Sequence, residues 1–133
     1  MAALTKVATA SVDASTAMFA EQVSGLVAGE TIAACAACYI KAADGKVYNS
    51  DGTAANAAAK VDGFSAQAAK AGDGITLFGR GTRMSYGSGL TIAALYYLGT
   101  TAGGLDTAAT TGGTVALAKA ITATDIRIVN IVP

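Results

Sequence analysis

Cys35 and Cys38 are the residues whose types and spacing come nearest to a chemical motif in this sequence. Cys-x-x-Cys is the spacing of half a zinc site and of a thiol redox pair. A zinc site needs two further soft ligands, and the chain has no His and no third Cys, so only a trimer that gathers thiols at its axis could supply them. A redox pair normally opens a helix, whereas this pair lies in a strand-rich stretch. We interpret both thiols as small buried hydrophobic side chains.

The absence of His removes the chemistry on which most hydrolases depend. Histidine is the usual general base near neutral pH, the partner of Ser and Cys nucleophiles and the commonest zinc ligand. The aspartates lie mostly beside Gly or Thr, where their side chains stabilise turns. The segment DGKVYNSDG (44–52) misses the spacing and the closing Glu of a calcium loop. We predict no catalysis, no bound metal and no cofactor.

The glycine-rich stretch GRGTRMSYGSG (79–89) has the density of a phosphate-binding loop but not its pattern. It lacks GxxxxGK[ST], and its GxG is not followed by a third Gly at the dinucleotide spacing. We interpret it as a linker between two repeated units. Arg80 and Arg83 in this linker could reach carboxylates on a neighbouring subunit, because a guanidinium group binds a carboxylate with two hydrogen bonds. An ordinary solvated surface is the alternative for both.

Composition describes a single domain of small side chains. The 133 residues carry nine basic and nine acidic side chains, a balance that indicates neither a nucleic-acid nor a membrane surface. Hydrophobic residues make up 53% of the chain but aromatic residues only 6%, because 32 residues are Ala. No stretch reaches the roughly 18 to 20 apolar residues of a membrane span. We expect no secretory signal peptide, since no basic region precedes a long apolar segment.

The elements that would carry these residues divide the chain in two. Residues 1–24 show neither helical nor strand periodicity, so we predict an extended N-terminal arm that contacts a partner, with Met18 and Phe19 as its contact residues. A loosely ordered N-terminal tail is the alternative. Residues 25–133 alternate short strands and turns, and Asp44-Gly45 between β-forming residues is a strong hairpin signal. The Ala-rich segment 53–72 is interrupted at Asp62-Gly63, so we expect at most one turn of helix there.

The β domain carries an internal repeat. The letters TIAA occur at Thr31–Ala34 and again at Thr91–Ala94. When the two TIAA segments are superposed and the second copy is taken to be two residues shorter, Tyr39 aligns with Tyr97. The turn that follows Tyr39 then aligns with the turn that follows Tyr97. We predict two similar strand-turn units, about 25–79 and 86–131, which together form a small antiparallel β-sandwich or barrel. The unbroken apolar run Ile92–Leu98 predicts a strand covered on both faces.

Two long segments of the β domain resemble a known family. YIKAADGKVYNSDGTAANAAAKVDGFSAQAAKAGDGITL and LYYLGTTAGGLDTAATTGGTVALAKAITATDIRIV are similar to the small capsid decoration (cement) and head-fibre proteins of tailed bacteriophages. The resemblance covers roughly residues 25–131. The resemblance depends mainly on four segments: the DGKVY hairpin, the VDGFS strand, YYLGTTAGGL and the C-terminal VALAKAITATDIRIV.

The resemblance implies an all-β protein without catalysis on the outer surface of the virion capsid, made in the host cytoplasm. It implies a homotrimer that clamps adjacent subunits of the major capsid protein, and no binding of nucleic acid or membrane. The alternative is a trimeric head- or tail-fibre tip that binds a host receptor or glycan through exposed aromatic side chains, for which Tyr48, Tyr86, Tyr96 and Tyr97 are the candidates. We expect the capsid or subunit contacts at Met18, Phe19, Arg80, Arg83, Tyr96 and Tyr97.

Overall fold

The structure is a computed structural model that describes residues 3–12 and 21–133, and it is built from two antiparallel β-sheets. The six-stranded sheet has the order β1-β7-β11-β10-β8-β9, and the five-stranded sheet has the order β2-β6-β5-β3-β4. The predicted fold class, a small all-β sandwich or barrel, is confirmed. The strands are β1 (Lys6–Val12), β2 (Gln22–Val27), β3 (Ala37–Ile40), β4 (Val47–Asn49), β5 (Gly63–Ser65), β6 (Gly74–Phe78), β7 (Arg83–Gly87), β8 (Leu95–Leu98), β9 (Leu105–Asp106), β10 (Ala116–Ala120) and β11 (Asp125–Ile128).

The two sheets repeat one topology. Without β1, the second sheet reads β7-β11-β10-β8-β9, which is the order β2-β6-β5-β3-β4 with each strand replaced by the one five places later in the chain. All of these pairings are antiparallel. We call β2 to β6 the first unit and β7 to β11 the second unit. The expectation of two similar strand-turn units is therefore confirmed by their topology.

The equivalence extends to single hydrogen bonds. Cys35 and Ala93 are the only non-glycine residues with positive φ in the described part of the chain, at 58° and 71°. The N–H of Cys35 donates to the Ser65 carbonyl at 2.9 Å, and the N–H of Ala93 donates to the Ala120 carbonyl at 2.8 Å. Both units thus enter their second strand along the chain, β3 or β8, through the same left-handed turn, a conformation that costs energy for any residue with a Cβ.

These hydrogen bonds correct the register of the sequence repeat. Tyr39 pairs with Tyr48 in the first unit, and Tyr97 pairs with Asp106 at the same place in the second unit. Tyr39 and Tyr97 are therefore equivalent, as the sequence alignment predicts. Cys35 and Ala93 are also 58 positions apart, so Thr31–Ala34 corresponds to residues 89–92 and not to the second TIAA. The predicted superposition of the two TIAA segments is wrong by two residues. The resemblance of letters there comes from an Ala-rich composition.

The two units pack together around one large hydrophobic cluster. It includes Phe64 from the first unit and Met84, Tyr96 and Ile126 from the second, all buried. A smaller cluster lies within the first unit, where Ile32, Cys38, Val47 and Leu77 are buried together. Backbone hydrogen bonds also join the units, since Gly103 N donates to Ser50 O at 2.7 Å and Ala37 N donates to Gly103 O at 3.0 Å.

Residues 1–24, predicted as an extended arm, supply strands to both sheets. β1 is extended and pairs with β7 of the same chain, and Gln22–Ser24 already belongs to β2. Before β1, Leu4 N donates to Leu105 O at 2.9 Å, which places Leu4 along the edge of β9. These segments lie at sheet edges, where backbone pairing does not require an alternating apolar pattern, so sequence periodicity did not reveal them.

Other sequence predictions have mixed outcomes. The single turn of helix expected in 53–72 is a 3₁₀ turn at Ala57–Ala59. The predicted linker 79–89 is wrong, because Arg83–Gly87 forms β7. The run Ile92–Leu98 is not covered on both faces: Ile92 is 65% exposed in a turn, and β8 alternates between exposed and buried side chains. Within the described residues, no helix combines the length and the apolar character that crossing a membrane requires.

Candidate interaction surface

The outer face of the six-stranded sheet carries a row of four side chains that lie directly beside one another on four neighbouring strands. Leu95 on β8 pairs with Lys119 on β10, Lys119 pairs with Arg127 on β11, and Arg127 pairs with Arg83 on β7. Residues paired directly across antiparallel strands point to the same face of the sheet. We call this set the outer row. Leu95, Lys119 and Arg127 are exposed and Arg83 is half-buried.

The first unit has the equivalent row, and it is used differently. Strand register aligns Ala37, Phe64, Phe78 and Gln22 with the outer row, in the same order. Ala37 and Phe64 are fully buried in the large cluster between the units. Phe78 is half-buried and Gln22 is exposed. The positions of Ala37 and Phe64 therefore pack against protein in the first unit, whereas their equivalents Leu95 and Lys119 face outward in the second. Lys119 and Arg127 stand in the outer row where the first unit has Phe64 and Phe78.

Positive charge is concentrated along the outer row. Arg83 is held by Asp125, whose Oδ2 lies 2.8 Å from both the Nε and one terminal nitrogen of the guanidinium group. Lys119 and Arg127 have no acidic partner within 4.0 Å among the described residues. Like charges directly opposite each other on adjacent strands are destabilising. An acidic surface docked on this face would relieve that repulsion.

Two of the residues predicted from the sequence belong to this face. Arg83 is part of the outer row, and Tyr97 lies two residues beyond Leu95 on β8, on the same face and half-buried. The structure therefore brings Arg83 and Tyr97 to one surface of the second unit. Arg83 bonds Asp125 of its own chain, so its guanidinium is already oriented before any partner arrives.

The remaining predicted residues lie elsewhere. Tyr96 is 3% exposed and its hydroxyl accepts a hydrogen bond from Thr91 N at 3.1 Å, so its prediction as a surface contact is wrong. It alternates with Tyr97 along β8 and therefore points into the core. Arg80 forms an exposed ion pair with Glu21 of its own chain at 2.9 Å. Met18 and Phe19 lie outside the described residues.

Burial reduces the number of tyrosines that could bind a glycan. Tyr86 is fully buried, which corrects its prediction as an exposed side chain. Tyr48 is half-buried and packs beside Tyr39 with ring centroids 6.3 Å apart. Its hydroxyl donates to Asp44 at 2.6 Å, and the Lys41 ammonium lies 4.7 Å from the ring centroid. The hydrogen bond to Asp44 raises the pKa of Tyr48.

Buried Tyr86 links β7 to the short strand β9. Its hydroxyl oxygen accepts a hydrogen bond from Leu105 N at 3.1 Å. Burial raises the pKa of Tyr86 well above its ordinary value, because a phenolate would lose its hydration. A raised folded-state pKa means that the stability Tyr86 contributes is present below about pH 10 and is lost as the pH rises toward the folded pKa.

We expect Tyr86→Phe to reduce this alkaline loss of stability. At neutral pH the variant is about 1–3 kcal/mol less stable, because Leu105 N loses its buried acceptor. Between about pH 8 and about pH 11, however, its free energy of unfolding falls by about 1 kcal/mol less than that of the wild type. Urea unfolding at the two pH values measures both effects. An identical fall in the two proteins would contradict the assignment to Tyr86.

Sequence reasoning missed Leu95, Lys119 and Arg127 as candidate surface residues. They are far apart in the chain and only strand register aligns them. The duplication is the signal that could have found them. Lys119 occupies the position of the buried Phe64 in the other copy, and a cation at such a position indicates that this face of the sheet is exposed. Among the described residues, no group of three or more His, Cys, Asp or Glu side chains is placed to hold a metal ion.

Comparisons with models of protein families, with curated proteins and with solved structures found no match for this chain.

Proposed function

We propose that this protein is a structural virion protein that binds the outside of a phage capsid and clamps adjacent subunits of the major capsid protein. The proposal begins from the sequence resemblance to capsid decoration proteins. The structural observation that supports it is the outer row. The positions that Ala37 and Phe64 bury between the units are exposed in the second unit, where Leu95 and Lys119 occupy them beside the cation Arg127.

The chemistry of this face defines the surface it would fit. Leu95 and Tyr97 offer apolar contact beside the cations Lys119 and Arg127, which favours a coat surface with an apolar patch bordered by carboxylates. The preorganised Arg83 could bind one further carboxylate oxygen. Charge complementarity of this kind fixes orientation and speeds association more than it adds affinity. Three copies joined in a homotrimer would add avidity, since one bound subunit holds the others at high effective concentration.

A binding assay on phage heads that lack the protein tests this proposal. We expect Lys119→Glu combined with Arg127→Glu to weaken binding by about tenfold or more, because like charges placed across an interface cost several kcal/mol. The measurement is occupancy of the heads at increasing protein concentration, read from co-sedimentation and a quantified gel.

The matched control is Lys46→Glu combined with Lys60→Glu. Both lysines are exposed on the first unit, so the control makes the same change in net charge away from the outer row. It should occupy heads like the wild type, and both variants should show wild-type unfolding curves. Equal occupancy by the outer-row variant would contradict the proposed contact, and no binding by the wild type would contradict the proposed function.

A fibre tip that binds a glycan is the second candidate, and the pairing of Tyr39 with Tyr48 favours it. A sugar stacked on Tyr48 would have to displace the Lys41 ammonium from the ring face, which makes this surface less ready for a ligand than the outer row. If glycan binding were the function, Tyr48→Ala would abolish attachment to cells or glycans, while the outer-row variant would leave that attachment unchanged.

A further inference from the structure

The dipeptide Asp-Gly occurs four times in this chain, and the fold gives the four pairs different environments. All lie in the first unit, as Asp44-Gly45, Asp51-Gly52, Asp62-Gly63 and Asp73-Gly74. An aspartate followed by Gly can rearrange without an enzyme, because Gly has no side chain to hinder attack of its main-chain nitrogen on the preceding carboxyl group. The attack requires a nitrogen that is free of other hydrogen bonds and open to water.

Three of the four glycine nitrogens are held by hydrogen bonds or by burial. The N–H of Gly45 donates to Lys41 O at 2.8 Å, and the N–H of Gly52 donates to Gly99 O at 2.8 Å. Gly63 is buried in β5, which is paired with β3 on one side and with β6 on the other. Each of these nitrogens therefore attacks the neighbouring carboxyl group only after the surrounding backbone has opened.

The carboxyl group of Asp44 is also withdrawn from this reaction. Its oxygens accept hydrogen bonds from the Tyr48 hydroxyl at 2.6 Å and from Lys46 N at 3.0 Å. The hydrogen bond from Tyr48 is the main cause of the lowered pKa of Asp44. The ring closure uses the neutral carboxylic acid, because a hydroxyl must leave as water, and a lowered pKa leaves less of that form at neutral pH. Asp44 is exposed, so exposure alone does not select the reactive pair.

Gly74 differs from the other three because its main-chain nitrogen is open. Gly74 pairs with Val27 across β6 and β2, and the next hydrogen bond of the ladder runs from Ala28 N to Asp73 O at 2.9 Å. This pattern makes Val27 and Gly74 a non-hydrogen-bonded pair, so the N–H of Gly74 points away from β2. On the other side of β6, β5 pairs only with the far end of the strand. The Gly74 nitrogen therefore has no acceptor in either neighbouring described strand.

The open nitrogen faces a groove that water can enter. The groove has a volume of about 310 Å³ and lies between the segment 66–69 and β6, with Gly74 in its lining. Asp73 and Gly74 are both exposed. The Asp73 carboxyl group accepts one hydrogen bond, from Lys70 N at 3.0 Å. Nucleophile, carboxyl group and water thus meet at this pair without prior opening of the fold.

We propose that Asp73-Gly74 is a site of spontaneous modification, at which Asp73 becomes isoaspartate while the other three Asp-Gly pairs stay intact in the folded protein. The Gly74 nitrogen forms a bond to Cγ of Asp73, and its proton leaves with the hydroxyl of the carboxylic acid as water. A second water then adds to the cyclic imide and breaks the bond between the Gly74 nitrogen and the original carbonyl carbon of Asp73. One water is lost and one is gained, so no other reactant is needed. The proposal does not depend on attachment to a capsid.

The modification would change the backbone where β6 meets the chain leaving β2. The main chain then runs through Cγ of Asp73 and is one methylene longer. The former carbonyl group, which accepts the hydrogen bond from Ala28 N, becomes a free carboxylate. Ala28 is buried, and the next residue, Gly29, donates to Val47 O at 2.8 Å. Isomerisation therefore acts on the segment that connects β6, β2 and β4.

Prolonged incubation of the full-length protein at neutral pH and physiological temperature tests the assignment. Isoaspartate is measured at each of the four pairs by peptide mapping after mildly acidic digestion, with electron-transfer fragmentation to distinguish isoaspartate from aspartate. We expect isoaspartate to form at position 73 at least about tenfold faster than at the other three pairs, because local opening that costs about 1.4 kcal/mol slows a reaction tenfold. Faster formation at any other pair would overturn the proposal.

The same chain kept unfolded in urea is the reference. Without the fold the four pairs should react at similar rates, so the preference for Asp73 should disappear. An equal preference in the folded and the unfolded chain would show that local sequence causes it, and would overturn the structural assignment. So would a folded protein that carries no isoaspartate at position 73 after the time in which the unfolded chain has reacted.

Gly74→Ala tests the attacking nitrogen, because the fold accommodates the added methyl group. A Cβ on Gly74 would have its nearest contact at 4.0 Å, with Leu26 O. The methyl group hinders attack by the nitrogen, so isoaspartate at position 73 should fall several-fold while urea unfolding stays like that of the wild type. Unchanged formation of isoaspartate in this variant would contradict attack by the Gly74 nitrogen.

Discussion

Gly103→Ala should lower the free energy of unfolding by about 2–5 kcal/mol, measured by urea denaturation. Gly103 has φ 76°, where a residue with a Cβ pays about 1–2 kcal/mol. A Cβ there would also lie 2.7 Å from Asn49 Oδ1 and 3.0 Å from Ala36 Cβ, both in the first unit. Overpacking of this kind adds about 1–3 kcal/mol.

Gly45→Ala is the matched control, because Gly45 occupies the equivalent turn of the first unit. Its φ is 70°, and a Cβ there would meet nothing within 4 Å. Only the backbone term remains, so the expected loss is about 1–2 kcal/mol. The difference between the two variants measures the packing of one unit on the other. Equal losses would mean that Gly103 does not lie at the junction.

Phe64→Ala should be among the most damaging single substitutions, with a loss of about 3–5 kcal/mol in the free energy of unfolding. Phe64 is fully buried in the cluster that joins the two units. Truncating it removes an aromatic side chain and leaves a cavity that both sheets must close. The measurement is again equilibrium unfolding in urea, with an unchanged slope confirming that the unfolded states are comparable.

Lys119→Ala is the control for Phe64→Ala, since strand register makes the two positions equivalent. Lys119 is exposed on the outer row, so its replacement should change the free energy of unfolding by no more than about 0.5 kcal/mol. A large loss at Lys119, or a small one at Phe64, would contradict the assignment of one row to the interior and the other to the outer face.

Turns and strands were the features most accessible from the sequence. Asp44-Gly45 predicted the β3 to β4 hairpin, and Gly45 has the positive φ that such a turn needs. VDGFS and GDGITLFG predicted β5 and β6. The duplication was also recognisable, because turn-forming glycines recur at matching places. These features depend on local backbone preferences, which single residues express directly.

Features that depend on tertiary pairing were less accessible. Local composition could not show that the equivalents of Thr31–Ala34 lie two residues before the second TIAA segment. The structure shows this through the left-handed turn at Cys35 and Ala93, which are different residue types. It could not separate Tyr96 from Tyr97, since only strand pairing decides which one points inward. Nor could it align Lys119 with Arg127 on adjacent strands.

If the proposed function holds, the chain is encoded by a phage, and its copy number in purified particles of that phage tests the proposal most directly. A quantified gel or mass spectrometry gives its molar ratio to the major capsid protein, and a cryo-EM map gives its position. We expect many copies spread over the outer capsid surface, in a fixed ratio of the same order as the coat protein. Absence from the particle, or a few copies confined to a vertex or the tail, would contradict it.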